Sequence, residues 1–107
     1  MPESTAATVL LTYRPREGEV ESLEQLLVRQ RATLARLALL ADPQRTFRAA
    51  DAAGRPVFLD LLTWKDVAVT GNPPPEVGSL WGELHKLVEP RDGRPGIEIQ
   101  HLTPVES

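Results

Sequence analysis

His85 stands four residues after Trp81, and at that spacing an imidazole and an indole project from one side of a helix. Imidazole titrates near neutral pH, and beside a ring that stacks on flat molecules it is suited to binding or deprotonating a phenol-like compound. The plainer reading is a half-exposed helix histidine at the rim of an apolar stripe. Asp60 is the second candidate. In the run Val57-Phe58-Leu59-Asp60-Leu61-Leu62-Thr63-Trp64 it shares a strand face with Phe58, Leu62 and Trp64. A carboxylate on such a face is costly unless it is partnered. It orients His85, holds a substrate hydroxyl, or forms a salt bridge to an arginine across the sheet or across a dimer interface. Trp64 and Trp81 each bring one N–H that needs an acceptor, and they either stack on a flat ligand or pack the core, the latter being the more ordinary role for Trp81. Tyr13, at the end of the first apolar run, places a phenol at a pocket mouth or at the surface. His101 alternates with Ile97 and Ile99, a setting typical of a core or interface histidine.

Other chemistries find no support. There is no cysteine, which excludes disulfides, thiolate metal sites and a thiol nucleophile. The two histidines lie far apart with no acid at metal-ligand spacing, so no metal site is expected. Gly71 and Gly78 are isolated and no Gly-rich phosphate loop follows a strand, so no nucleotide or flavin cofactor is expected. The net charge is −3 with arginines scattered among acids, which argues against nucleic acid as a partner. No apolar run approaches the roughly 20 residues of a membrane helix. The first residues lack the basic and apolar segments of a signal peptide, and a cytoplasmic location is the expectation.

These side chains need elements to hold them. At 107 residues the chain has the size of one domain, 1–107, with ends at 1–7 and 104–107 expected to be flexible. Residues 8–14 read as a strand with Val9, Leu11 and Tyr13 on one face. Residues 19 to about 40 read as a helix whose stripe is Val20, Leu23, Leu27, Leu34, Leu37 and Ala41, with Gln30 as its one polar member. Asp42-Pro43 is the expected stop. Residues 44–51 and 57–65 form a hairpin about the turn 52–56. A helical turn at 66–70 is cut off by Gly71-Asn72-Pro73-Pro74-Pro75, and Pro75 then suits the first turn of a second helix reaching Leu87. Residues 97–102 alternate as a final strand. The order β-α-β-β-α-β predicts an α+β, ferredoxin-like fold: a four-stranded antiparallel sheet with both helices on one face.

Three segments carry a resemblance to a known family. Thr33-Leu34-Ala35-Arg36-Leu37-Ala38-Leu39 resembles a Thr-Leu-Arg-Arg-Leu-Gly-Leu helix ending. Phe58-Leu59-Asp60-Leu61-Leu62-Thr63-Trp64-Lys65-Asp66 resembles Phe-Val-Glu-Ile-Phe-Glu-Trp-Lys-Asp. Pro75-Glu76-Val77-Gly78-Ser79-Leu80-Trp81 resembles the end of His-Pro-Glu-Val-Gln-Ala-Leu-Trp. Together they resemble the antibiotic-biosynthesis-monooxygenase-like domain over about residues 8–103. The resemblance implies a dimeric α/β barrel, in which the free sheet faces of two copies pack together, and a pocket between sheet and helices. It implies small cofactor-independent monooxygenase chemistry on a hydrophobic aromatic metabolite. His85 and Asp60 would then manage protons, and Tyr13, Trp64 and Trp81 would shape the pocket. Haem-degrading relatives use an asparagine in the first strand where this chain has Thr12 and Tyr13, and Pro74 replaces the histidine before Pro-Glu-Val. The alternative expectation is a non-catalytic homodimer that binds a small ligand or serves a structural role.

Overall fold

The computed structural model describes residues 6–105, so the outermost parts of the two expected flexible ends lie outside the described residues. Its elements run β1 (Ala7–Tyr13), α1 (Val20–Arg36), β2 (Leu40–Ala50), β3 (Pro56–Trp64), a 3-10 turn (Val67–Thr70), α2 (Pro75–Lys86) and β4 (Ile97–Leu102). The strands form one antiparallel sheet in the order β2-β3-β1-β4. This is the ferredoxin-like arrangement, with the two central strands each preceding or following a helix that crosses one face of the sheet.

The first helix ends four residues earlier than its apolar stripe suggests. Ala38 adopts φ 55°, the left-handed conformation. The Ala38 N–H reaches the Ala35 carbonyl and the Leu39 N–H reaches that of Leu34, at 3.1 and 3.2 Å. This double closure is a Schellman motif, normally built on glycine. Leu39 joins the apolar cluster around Leu34, which supplies the hydrophobic contact that accompanies the motif. Leu37 is therefore the cap and Ala41 belongs to β2. Asp42-Pro43 is not a helix stop. It lies where the β2–β3 register shifts, and Pro43 is tolerated there because β2 is an edge strand with an irregular ladder. Asp66 starts the 3-10 turn by accepting from the Ala68 N–H at 3.0 Å. Pro75 occupies the first turn of α2, where a missing N–H costs nothing.

Register assigns each side chain to a face. Tyr13 pairs with Phe58 and Ile97, Leu11 with Asp60 and Ile99, and Val9 with Leu62 and His101. All of these face the helices. The helix-side core divides into two apolar clusters. One contains Tyr13, Leu23, Leu27, Phe58, Leu80 and Leu84, and the other contains Val9, Leu34, Leu62, Trp64 and Val77. Trp81 packs against both. On the opposite face Leu10, Leu59 and Leu61 are half-buried and Phe47 and Leu102 are exposed, and no described helix covers them. No helix is long and apolar enough to cross a membrane.

Candidate active site

A polar layer separates the two apolar clusters. On α1, Gln30 lies between Leu27 and Leu34 and is 1% exposed. On β3, Asp60 lies between Phe58 and Leu62 and is fully buried. Burying this glutamine and this acid is tolerable because they meet: Gln30 Nε2 donates to Asp60 Oδ2 at 3.3 Å. The hydroxyl of Thr46, the cross-strand partner of Asp60, donates to Oδ1 at 2.6 Å. The Trp81 indole N–H donates to Gln30 Oε1 at 2.9 Å. An indole N–H can only donate and a carboxylate can only accept, so these two neighbours fix which way round the Gln30 amide lies. The Tyr13 hydroxyl lies beside Asp60 and the Gln30 amide, as its diagonal position across the β1–β3 register requires.

Burial dominates the electrostatics of this layer. Desolvation pushes the Asp60 carboxyl above its ordinary value, against the opposing pull of the Thr46 hydrogen bond, the nearby Gln44 amide and Tyr13 hydroxyl, and the charge of Arg31. No arginine forms a salt bridge with Asp60 among the described residues. Desolvation also drives the Tyr13 phenol well above its usual range, and the neighbouring Asp60 charge adds to the rise. Gln44, 6% exposed, stands beside the carboxylate, yet neither atom of its amide reaches hydrogen-bond geometry with any described group.

The layer forms the back of a cleft of about 360 Å³ between sheet and helices. Val9, Leu11 and Tyr13 line it from β1, Leu62 and Trp64 from β3, and Gln30 from α1. Trp81, Leu84 and His85 close it from α2. Val67 and Thr70 of the 3-10 turn and Ile97, Ile99 and His101 of β4 form the remaining rim. Trp64 and Trp81 meet edge to face, with ring centroids 6.0 Å apart. Ile99 is 57% exposed, which makes the β4 side the open one.

The structure therefore brings Tyr13, Trp64, Trp81 and His85 to one cleft and sets Asp60 directly behind its floor. Tyr13 is buried at the floor and is not at the mouth. His85 is an exposed rim residue whose Nδ1 lies 2.8 Å from the Trp81 carbonyl. A carbonyl only accepts, so Nδ1 carries the hydrogen and Nε2 is the ring nitrogen left free at the rim. No hydrogen bond joins His85 to Asp60; the acid's partners are Gln30 and Thr46 instead, with Tyr13 beside it. Two residues of the layer, Gln30 and Thr46, were not among the expected site residues, and His101 is not the core or interface histidine that its alternation suggests. Gln30 had been visible as a polar entry in an apolar stripe, which is itself a signal of a buried partner. Thr46 carried no signal of its own. His101 is exposed on the cleft's rim, because α2 does not extend over β4. No group of three or more potential metal ligands occurs among the described residues.

No protein-family model and no curated protein sequence matches the chain. Solved structures do. A protein of unknown function from Bacteroides thetaiotaomicron, suggested to be an oxidoreductase, is 15% identical with a TM-score of 0.71, over 94% of this chain and 98% of that one. A point variant of SnoaB, a cofactor-independent oxygenase from Streptomyces nogalater, is 15% identical with a TM-score of 0.70, over 96% of each chain. A further B. thetaiotaomicron protein, provisionally named an antibiotic biosynthesis monooxygenase, is 13% identical with a TM-score of 0.69, over 95% of this chain and 91% of that one. The chain has the fold of the antibiotic-biosynthesis-monooxygenase-like proteins. That likeness extends over nearly the whole length and includes both helices and the full sheet.

Proposed function

We propose that this chain is a small monooxygenase-like enzyme that oxidises a hydroxyl-bearing aromatic compound with O₂ and no bound cofactor, working as a homodimer in the cytoplasm. The observation that carries the reading is the Tyr13–Asp60 pair at the floor of an apolar, tryptophan-lined cleft. Apolar walls with a few convergent polar groups and a carboxyl displaced from its ordinary value are what a proton-abstracting site requires. The fold shared with an oxygenase that needs no cofactor supports the same reading.

The chemistry balances with O₂ as the oxidant. The substrate O–H proton passes to the Tyr13 oxygen as the phenol's own proton passes to Asp60. The resulting aryloxide gives one electron to O₂, and the two radicals combine to form a C–O bond at the para ring carbon. The proton returns by the same relay: Tyr13 gives its hydrogen to the terminal peroxide oxygen and takes one back from Asp60. The O–O bond then breaks, the ring C–H proton leaves with the departing oxygen as water, and the ring carbon becomes a carbonyl. The sum is hydroxyarene plus O₂ to quinone plus water. Trp64 and Trp81 hold the flat ring, and His85 Nε2 meets it at the rim.

Dimerisation is proposed from the uncovered sheet face. Leu10, Leu59, Leu61 and Phe47 form an apolar surface on the side away from both helices, of the kind that marks an interaction site. The test of function is oxygen uptake by the purified protein with a panel of hydroxylated two- and three-ring aromatics, with mass spectrometry of the products. Substrate-dependent uptake with a product gaining one oxygen and losing two hydrogens supports the reading. Uptake no faster than without protein across the panel contradicts it.

A further inference from the structure

The polar groups at the floor of the cleft are already engaged with one another. Trp81 gives its N–H to Gln30 Oε1. Gln30 gives an amide hydrogen to Asp60, and its amide lies beside the Tyr13 oxygen. Tyr13 stands diagonal to Asp60 across the β1–β3 register, and a carboxylate is the strongest acceptor within reach of its O–H. Gln30 and Thr46 both donate to Asp60, so its oxygens are already engaged by protein hydrogens. At the rim, Thr70 donates to the Val67 carbonyl at 2.8 Å, and His85 uses Nδ1 on the Trp81 carbonyl. At the floor, what remains is lone pairs: one on Tyr13 Oη and one on Gln30 Oε1.

We propose that the floor of this cleft selects a ligand that donates a hydrogen bond, so that an aromatic hydroxyl is bound and its ether or carbonyl counterpart is disfavoured, with Tyr13 and Gln30 reading the difference. The physical reason is asymmetry. A ligand hydroxyl satisfies a buried acceptor, whereas a carbonyl oxygen faces only lone pairs and loses its water without compensation. This deepens the oxygenase reading and rests on it for the ligand class. It also gives product release a cause. Oxidation turns the bound hydroxyl into a carbonyl, and the floor that attracted the substrate repels the product.

The test is binding, without turnover. Calorimetric titrations at pH 7 under nitrogen compare 2-naphthol, 2-methoxynaphthalene and 1,4-naphthoquinone. Trp64 and Trp81 are the only two tryptophans of the chain and both line the cleft, so their indole N–H signals in ¹⁵N-resolved NMR report where each compound sits. One hydrogen bond to a buried acceptor corresponds to about tenfold, so naphthol should bind at least about tenfold more tightly than the other two. In Tyr13→Phe that preference should fall below about threefold with methoxynaphthalene affinity little changed. Gln30→Met, checked for folding by its melting curve, should also weaken the preference, and it serves where Tyr13→Phe does not fold. Equal binding of naphthol and methoxynaphthalene to wild-type protein, with indole shifts from both, overturns donor selection and leaves the aromatic cleft standing. Binding of none of the three at millimolar concentration overturns the aromatic-ligand reading itself.

Discussion

Gln30 Nε2 and Asp60 Oδ2 meet at 3.3 Å in the polar layer between two apolar clusters, one from the middle of α1 and the other from the middle of β3. Each is buried with the other as one of its partners, Thr46 serving Asp60 and Trp81 serving Gln30 as well. The layer they form costs stability that an apolar pair would not, and it is the feature of the core that points to chemistry.

The first prediction follows from the direction of the Asp60 shift. Burial raises the folded-state value above the unfolded 3.8. The native state therefore holds this proton more tightly than the unfolded state does, so Asp60 favours folding when protonated and opposes it when ionised. The penalty is absent below the unfolded value and grows as pH rises through the folded one. Compared with Asp60→Asn, wild-type protein should gain melting temperature as pH falls from 8 to 4. A difference that is flat across that range, or that widens against wild type toward acid, contradicts the burial argument.

Gln44 leads to a second prediction. Its amide is buried with no geometric hydrogen bond among the described residues. Gln44→Met keeps the shape and removes two unsatisfied groups, so it should raise stability by about 1 kcal/mol. The urea midpoint measures this. A loss of similar size would mean that the amide is satisfied in solution.

Ala38 holds a left-handed conformation that costs an alanine about 1 kcal/mol and a glycine almost nothing. Ala38→Gly should stabilise the protein by roughly 0.5–1 kcal/mol despite glycine's greater freedom when unfolded. Thermal and chemical denaturation check it, and destabilisation would place the end of α1 elsewhere.

The same residue shows how far the sequence could be read. Element order, sheet faces and the proline break followed from periodicity and from side-chain types. The end of α1 did not, because the usual glycine is missing and Leu37, Leu39 and Leu40 continue an apolar pattern across the turn. The resembling helix ending carries glycine where Ala38 stands, and that one letter was the available signal. Asp60 could be placed on an apolar face, but which face meets the helices depends on how the sheet is covered, and only the tertiary structure decides that. Its pairing with Gln30 joins residues of different elements through the rotation of α1, which no local pattern encodes. His85 and Trp81 share a helix side as their spacing required, yet the helix's roll leaves the imidazole at the rim and keeps it from Asp60.

Leu61 tests the dimer. It is half-buried on the sheet face that no helix covers, in register with Leu10 and Arg45. Wild-type protein should elute with about twice its 11.8 kDa mass by light scattering, and Leu61→Glu should give the monomer mass. A wild-type monomer at micromolar concentration would remove the paired-sheet arrangement.

The central claim is that Asp60, acting through Tyr13, accepts the proton whose removal lets the substrate reduce O₂. The most direct measurement is the oxygen-uptake rate of Asp60→Asn, at saturating concentration of any hydroxyarene the wild-type protein oxidises, with binding affinity measured in parallel. The expected result is a fall of at least about a hundredfold in rate with affinity changed by far less. A variant that binds and oxidises the compound as fast as wild type would contradict the assignment of Asp60 as the proton acceptor.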